Sequence, residues 1–101
     1  MATVKFSVTT TAPVVAIDLR EAGVRVNLDQ ERVGREQLPD GSDHTALLYL
    51  HGPVGARADI LIEKETAAGT EYLAGRRDLE ITSESGDRFE IPFSILRDKC
   101  D

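Results

Sequence analysis

Tryptophan is absent from this chain, and aromatic residues amount to two tyrosines and three phenylalanines in 101 residues. With Tyr49, Tyr72, Phe6, Phe89 and Phe93 as the whole aromatic supply, the core has to be aliphatic. Val, Ile and Leu must then carry most of the burial, and β-branched side chains pack best on a pleated sheet. A lone cysteine, Cys100, excludes an internal disulfide. Its place beside the last residue marks it as a free thiol without a task, and the want of an intrachain partner favours a reducing compartment. No apolar run approaches the roughly 20 residues that cross a bilayer as a helix. The longest, Ala46-Leu47-Leu48-Tyr49-Leu50, is the size of a strand. The opening MATVKFSVTTT lacks the apolar stretch of a secretory signal, so a cytoplasmic location is expected.

Positive charge is also in short supply. Twelve Lys and Arg stand against 18 Asp and Glu, a net charge of -6. This argues against nucleic acid and against anionic membrane surfaces, both of which call for a clustered positive field. The nearest approach to a basic patch is Arg76-Arg77, with Asp78 and Glu80 directly after it. The acidity serves solubility, or faces a basic partner.

What is present is alternation. Val4, Phe6 and Val8 alternate with Lys5, Ser7 and Thr9, the period of a strand with one buried face. Pro13 breaks that run. Val15, Ile17 and Leu19 form a second strand, and Val24, Val26 and Leu28 a third. Glu21-Ala22-Gly23 turns between them, which makes a hairpin of the pair. The rival helical turn over Leu19–Val24 is disfavoured by Gly23 and by the β-branched flanks. After a turn at Gln30-Glu31-Arg32, Val33 to Leu38 reads as a short strand. Gly34 counts against a helix there. Pro39-Asp40-Gly41 closes it with turn chemistry, proline presetting φ and glycine accepting a positive φ.

Thr45 to Leu50 is apolar on both faces, as in a strand covered on both sides or meeting a partner. Gly52-Pro53-Val54-Gly55 turns, and Ala56, Ala58, Ile60 and Ile62 then alternate with Arg57, Asp59, Leu61 and Glu63. Thr66–Thr70 reads as a loop. Glu71-Tyr72-Leu73 begins a strand ending near Gly75, with Leu79 and Ile81 in a further short stretch. Ser85-Gly86-Asp87 reads as a hairpin turn into Phe89, Ile91, Phe93 and Ile95. Pro92 cannot donate to a ladder, which places that last strand at an edge. Ser94 to Lys99 is a candidate terminal helix capped by Ser94.

The whole reads as a single all-β domain over 1–101, with a frayed or short helical end from residue 96. About seven to eight short strands, with turns about every eight to twelve residues, predict a compact antiparallel β-sandwich, with a small β-barrel as the alternative. The Cys-Trp-Cys marks of antibody-type domains are absent.

Chemistry is sparse. His44 and His51 are the only histidines, seven residues apart. On one strand that odd spacing sends them to opposite faces, roughly 20 Å or more apart, which excludes a shared metal site. Asp40, Ser42, Asp43 and His44 crowd one loop, but they lack the pattern of a calcium loop and the G-x-S-x-G setting of a nucleophile. Asp18, Arg20, Arg25, Asn27 and Asp29 share the wet face of the hairpin, where opposite charges stabilise strand pairing. No catalytic residue, cofactor or metal is indicated, and the sequence does not decide whether the chain is an enzyme.

Three functions remain open. The leading one is a non-enzymatic structural or protein–protein interaction module, self-associating as a homodimer or meeting another protein through Leu47 and Tyr49. The alternative is a small-molecule or carbohydrate binding domain, for which Tyr72 with Arg76 or Arg77 is the combination to watch. It requires a concavity at those residues. A small β-fold enzyme comes last. It would have to bring a histidine within about 3 Å of a carboxylate and a hydroxyl.

Overall fold

A computed structural model of the chain describes residues 1–95, so Cys100 and all but the start of the candidate terminal helix lie outside the described residues. Ser94 itself belongs to a strand. The described residues form eight strands: β1 (Ala2–Thr10), β2 (Val14–Leu19), β3 (Val24–Val26), β4 (Val33–Leu38), β5 (Asp43–His51), β6 (Arg57–Thr66), β7 (Gly69–Glu80) and β8 (Asp87–Ser94). They build two four-stranded antiparallel sheets, ordered β4-β1-β6-β7 and β3-β2-β5-β8. The sheets do not close into a barrel.

The period-two pattern decides which side of each strand is buried. Val4, Phe6 and Val8 of β1, Ile17 and Leu19 of β2, Ala46, Leu48 and Leu50 of β5, Ala58, Ile60 and Ile62 of β6, and Ile91 and Phe93 of β8 all enter one core. Phe6 and Phe93 meet edge to face across the two sheets, ring centroids 5.9 Å apart. Such a pair contributes ~0.5–1.5 kcal/mol beyond its buried area. Among the described residues, this is the one aromatic contact between the layers of an otherwise aliphatic core.

Gly34 faces inward opposite Phe6. A Cβ at this position would stand 2.5 Å from the Asn27 carbonyl oxygen and 2.6 Å from Val26 Cγ1. The glycine thus lets the end of β3 in one sheet close onto β4 in the other.

Pro92 lies on an edge strand, as its missing donor requires. The backbone amide of Thr45, opposite Pro92, binds Glu21 Oε2, and its carbonyl accepts from the Arg20 amide. Both Thr45 groups therefore point towards β2. The Thr45–Pro92 pair is one of the non-hydrogen-bonded pairs of the ladder, and the proline nitrogen faces outward.

Two expectations need correction. Gly75 does not end a strand. It lies inside β7, which runs for 12 residues and carries Arg76 and Arg77 within it. Two register shifts against β6, between Ala58 and Ile60 and between Ile62 and Glu63, insert extra residues and blur the alternation. Asp78, with φ of 57°, sits at the first of these, and its amide binds Asp59 Oδ1. Finally, Ser83–Arg88 makes a turn, with the Gly86 amide bound to the Ser83 carbonyl, but not a hairpin. The strands it joins, β7 and β8, lie in opposite sheets. Among the described residues, only β2–β3 and β6–β7 are true hairpins, and every other connection crosses between sheets.

Candidate functional site

The outer faces of the two sheets differ in how their polar groups are used. On the β3-β2-β5-β8 sheet, Leu47 faces outward between Asp18 of β2 and Glu90 of β8. Arg20, one residue beyond β2, forms an ion pair with Glu90, so the two side chains bridge β5 from side to side. Asp18 is paired with Arg25 of β3, Nε to Oδ1 at 2.7 Å. Leu47, flanked by these two pairs, is only 9% exposed. The hydrogen bond from Arg25 holds the Asp18 carboxyl below its ordinary range. Desolvation opposes the charge on Glu21, but the hydrogen bonds from Thr45 outweigh it and lower that carboxyl as well.

These pairs stop short of Tyr49. The Tyr49 row contains Ala16 on one side and Arg88 on the other, and the next row pairs Val14 with His51. Val14 is 53% exposed. A hollow of about 210 Å³ lies beside Tyr49, lined also by Val14, His51, Asp87 and Arg88. Tyr49 and Leu47 are thus neighbours on one face with different fates, one half-open and the other flanked by charge.

On the β4-β1-β6-β7 sheet the outer rows are polar. Thr3, Lys5, Ser7 and Thr9 of β1 lie against Glu65, Glu63, Leu61 and Asp59 of β6. The row holding Ser7, Leu61 and Gly75 has small residues on either side of a leucine. A concavity of about 500 Å³ opens there, lined by Tyr72, Arg76 and Arg77 together with Ser7, Thr9 and Asp59. The structure therefore brings Tyr72, Arg76 and Arg77 to one hollow, and it separates them from Leu47 and Tyr49 by the full thickness of the sandwich.

Of the residues expected to crowd one loop, Asp43 and His44 begin β5, and the group resolves into local pairings. Asp40 accepts from the N-terminal ammonium, and Asp43 accepts from Ser94 Oγ. Ser42 Oγ donates to the Pro39 carbonyl at 2.5 Å and lies 2.7 Å from His44 Nε2. With the serine proton already committed, Nε2 is the donor in that contact. His44 stacks on Phe93 in the core, and its Nδ1 is buried without a partner. A histidine acting as a base on Ser42 would need Nε2 free of its proton and Nδ1 held by a carboxylate. Both conditions fail here, so this is a buried histidine capped by a turn serine. His51 lies on the opposite face of β5. Among the described residues, no group of three or more His, Cys, Asp and Glu could hold a metal ion, and no helix is long and apolar enough to cross a membrane.

Sequence reasoning missed two elements of these surfaces. One is the Arg20–Glu90 bridge, because no local spacing reports that β2 and β8 flank β5. The other is Gly75, which reads as punctuation but forms part of a hollow. Comparison of the chain with protein-family models, curated proteins and solved structures finds no match. The molecule is an all-β sandwich module, and its function has to be argued from these two faces.

Proposed function

We propose that this domain is a protein–protein interaction module that self-associates through the outer face of the β3-β2-β5-β8 sheet, centred on Tyr49. The observation that carries this is the contrast within β5. Charged side chains flank Leu47, while Val14, Ala16 and Tyr49 form an apolar patch left half-open beside a hollow. Tyrosine suits such a place, offering a large apolar ring with a polar tip. The patch is bordered by the Asp18–Arg25 pair, the Arg20–Glu90 pair and Arg88. An apolar centre with a rim of both charge signs fits a second copy of itself under two-fold symmetry.

The test is the oligomeric state of the full chain by sedimentation equilibrium. A reversible dimer is expected, weakened by Tyr49→Lys. That substitution lies on an outer face and should leave the fold intact by circular dichroism. A protein that stays monomeric throughout the micromolar range, or a dimer indifferent to Tyr49→Lys, would sink this assignment.

A further inference from the structure

The geometry points to a second, independent site: the hollow under Tyr72 and Arg77 on the opposite sheet binds a small ring compound carrying one phosphate or carboxylate group. Three features of the hollow support this, and none depends on the self-association surface.

The first is unspent positive charge. In a chain of net charge -6, arginines find carboxylates readily. Arg20, Arg25, Arg35 and Arg57 each pair with an acid, Arg32 donates to the Ala12 carbonyl, and on the opposite sheet Arg88 stands without an ion pair among the described residues. Arg76 and Arg77 have no ion pair or side-chain hydrogen bond among the described residues. The acids nearest in sequence and register are already engaged. Asp59 accepts from the Asp78 amide, and Asp78 stands 3.9 Å from Arg57. The lining thus holds two open guanidinium groups against one carboxylate that is turned to backbone. Guanidinium groups bind carboxylate and phosphate through paired N–H donors.

The second feature is an aromatic platform. The extra residue between Tyr72 and Ala74 restores Tyr72 and Gly75 to the same outer face, where Glu63 and Leu61 oppose them. A Cβ on Gly75 would stand 3.4 Å from Tyr72 Cε2 and 3.6 Å from its Oη. The ring therefore packs over the bare glycine, yet Tyr72 remains 66% exposed. With Leu61, 38% exposed, it offers apolar surface for one ring.

The third feature is hydrogen-bonding capacity. Neither the Ser7 nor the Thr9 hydroxyl makes a side-chain hydrogen bond among the described residues. A volume of about 500 Å³ falls in the ordinary range for small-molecule sites. An anionic group on the arginines, a ring against Tyr72 and Leu61, and polar substituents on the hydroxyls use every feature of the hollow.

The experiment is a titration of the full chain, followed by amide chemical shifts, with phenyl phosphate, inorganic phosphate and phenol as separate probes. Phenyl phosphate should move the Ser7, Leu61 and Gly75 amides and bind at least about tenfold tighter than either half alone. Tyr72→Ala and Arg77→Gln should each weaken it about fivefold or more. Arg35→Gln makes the same charge change on the same face outside the hollow, and should leave binding unchanged. Equal binding of inorganic phosphate would mean an adventitious ion only and overturn the proposal. So would an absence of shifts at about 10 mM, or an equal loss with Arg35→Gln.

Discussion

Arg20 and Glu90 reach towards each other from opposite sides of β5 and close an ion pair over the strand's outer face. Neither residue is near the other in sequence, and neither is buried. What the pair does is decide how much of an apolar strand remains available. It lies beside the Leu47 end and stops short of the Tyr49 end.

This pair can be removed. Exposed ion pairs contribute little to stability, so Glu90→Ala should cost less than about 1 kcal/mol in urea denaturation. The same substitution removes the charge beside Leu47 and enlarges the apolar patch beside Tyr49. Self-association should tighten, seen as a lower dimer dissociation constant in sedimentation. Weaker association would mean that Glu90 contributes to the contact itself.

Gly34 tests the closure of the sandwich at its other edge. A methyl group there would collide with the Asn27 carbonyl and Val26 Cγ1. Neither is the free end of a flexible chain, so backbone must shift. Gly34→Ala should destabilise the fold by about 1–3 kcal/mol, read as a lower denaturation midpoint. A neutral result would show that β3 and β4 are not held at this separation.

The strand pattern itself was legible. Val4-Phe6-Val8 and Ala58-Ile60-Ile62 alternate without interruption, and both enter the core, with Phe6 opposite Ile62 and Val8 opposite Ile60. The Pro92 edge was legible for the same local reason, since a missing donor constrains the strand that carries it. Strand partnership was not. Ser83–Arg88 has the chemistry of a turn, but turn residues do not report whether the chain returns to the same sheet. Gly75 was misread because a bulge on each side breaks the period that would have identified β7. Of the candidate residues, Tyr72, Arg76 and Arg77 do line one hollow. Leu47 shares a face with Tyr49, but the charges that flank it come from residues remote in sequence.

His44 and Ser42 give a prediction with opposite signs of polarity. Ser42→Ala leaves a buried Nε2–H without its acceptor and should cost about 1–3 kcal/mol. His44→Phe removes both ring nitrogens, including the unpartnered Nδ1, while keeping a ring against Phe93. It should cost less than Ser42→Ala, within about 1.5 kcal/mol of the parent. Both are read from equilibrium unfolding. The reverse order would contradict the assignment of His44 as a core residue.

The acid limb of stability follows from two carboxyl groups. Asp18 and Glu21 are held below their ordinary values of 3.8 and 4.5. A group whose folded-state value is lowered contributes in full above its unfolded value and loses that contribution as pH falls through the folded one. The melting temperature should therefore be flat with respect to these groups above about pH 5 and fall as pH drops below 4. Asp18→Asn should melt lower than the parent at pH 7 and lose less of its stability on acidification. A parallel pair of pH profiles would contradict the Arg25–Asp18 assignment.

In the proposed assembly the half-open Tyr49 face meets a second copy of the chain. Sedimentation equilibrium of the parent and of Tyr49→Lys, from about 1 to 200 μM, tests it most directly. A concentration-dependent shift from monomer to dimer is expected in the parent, and its loss in the variant. A single monomer mass for the parent across that range would contradict it.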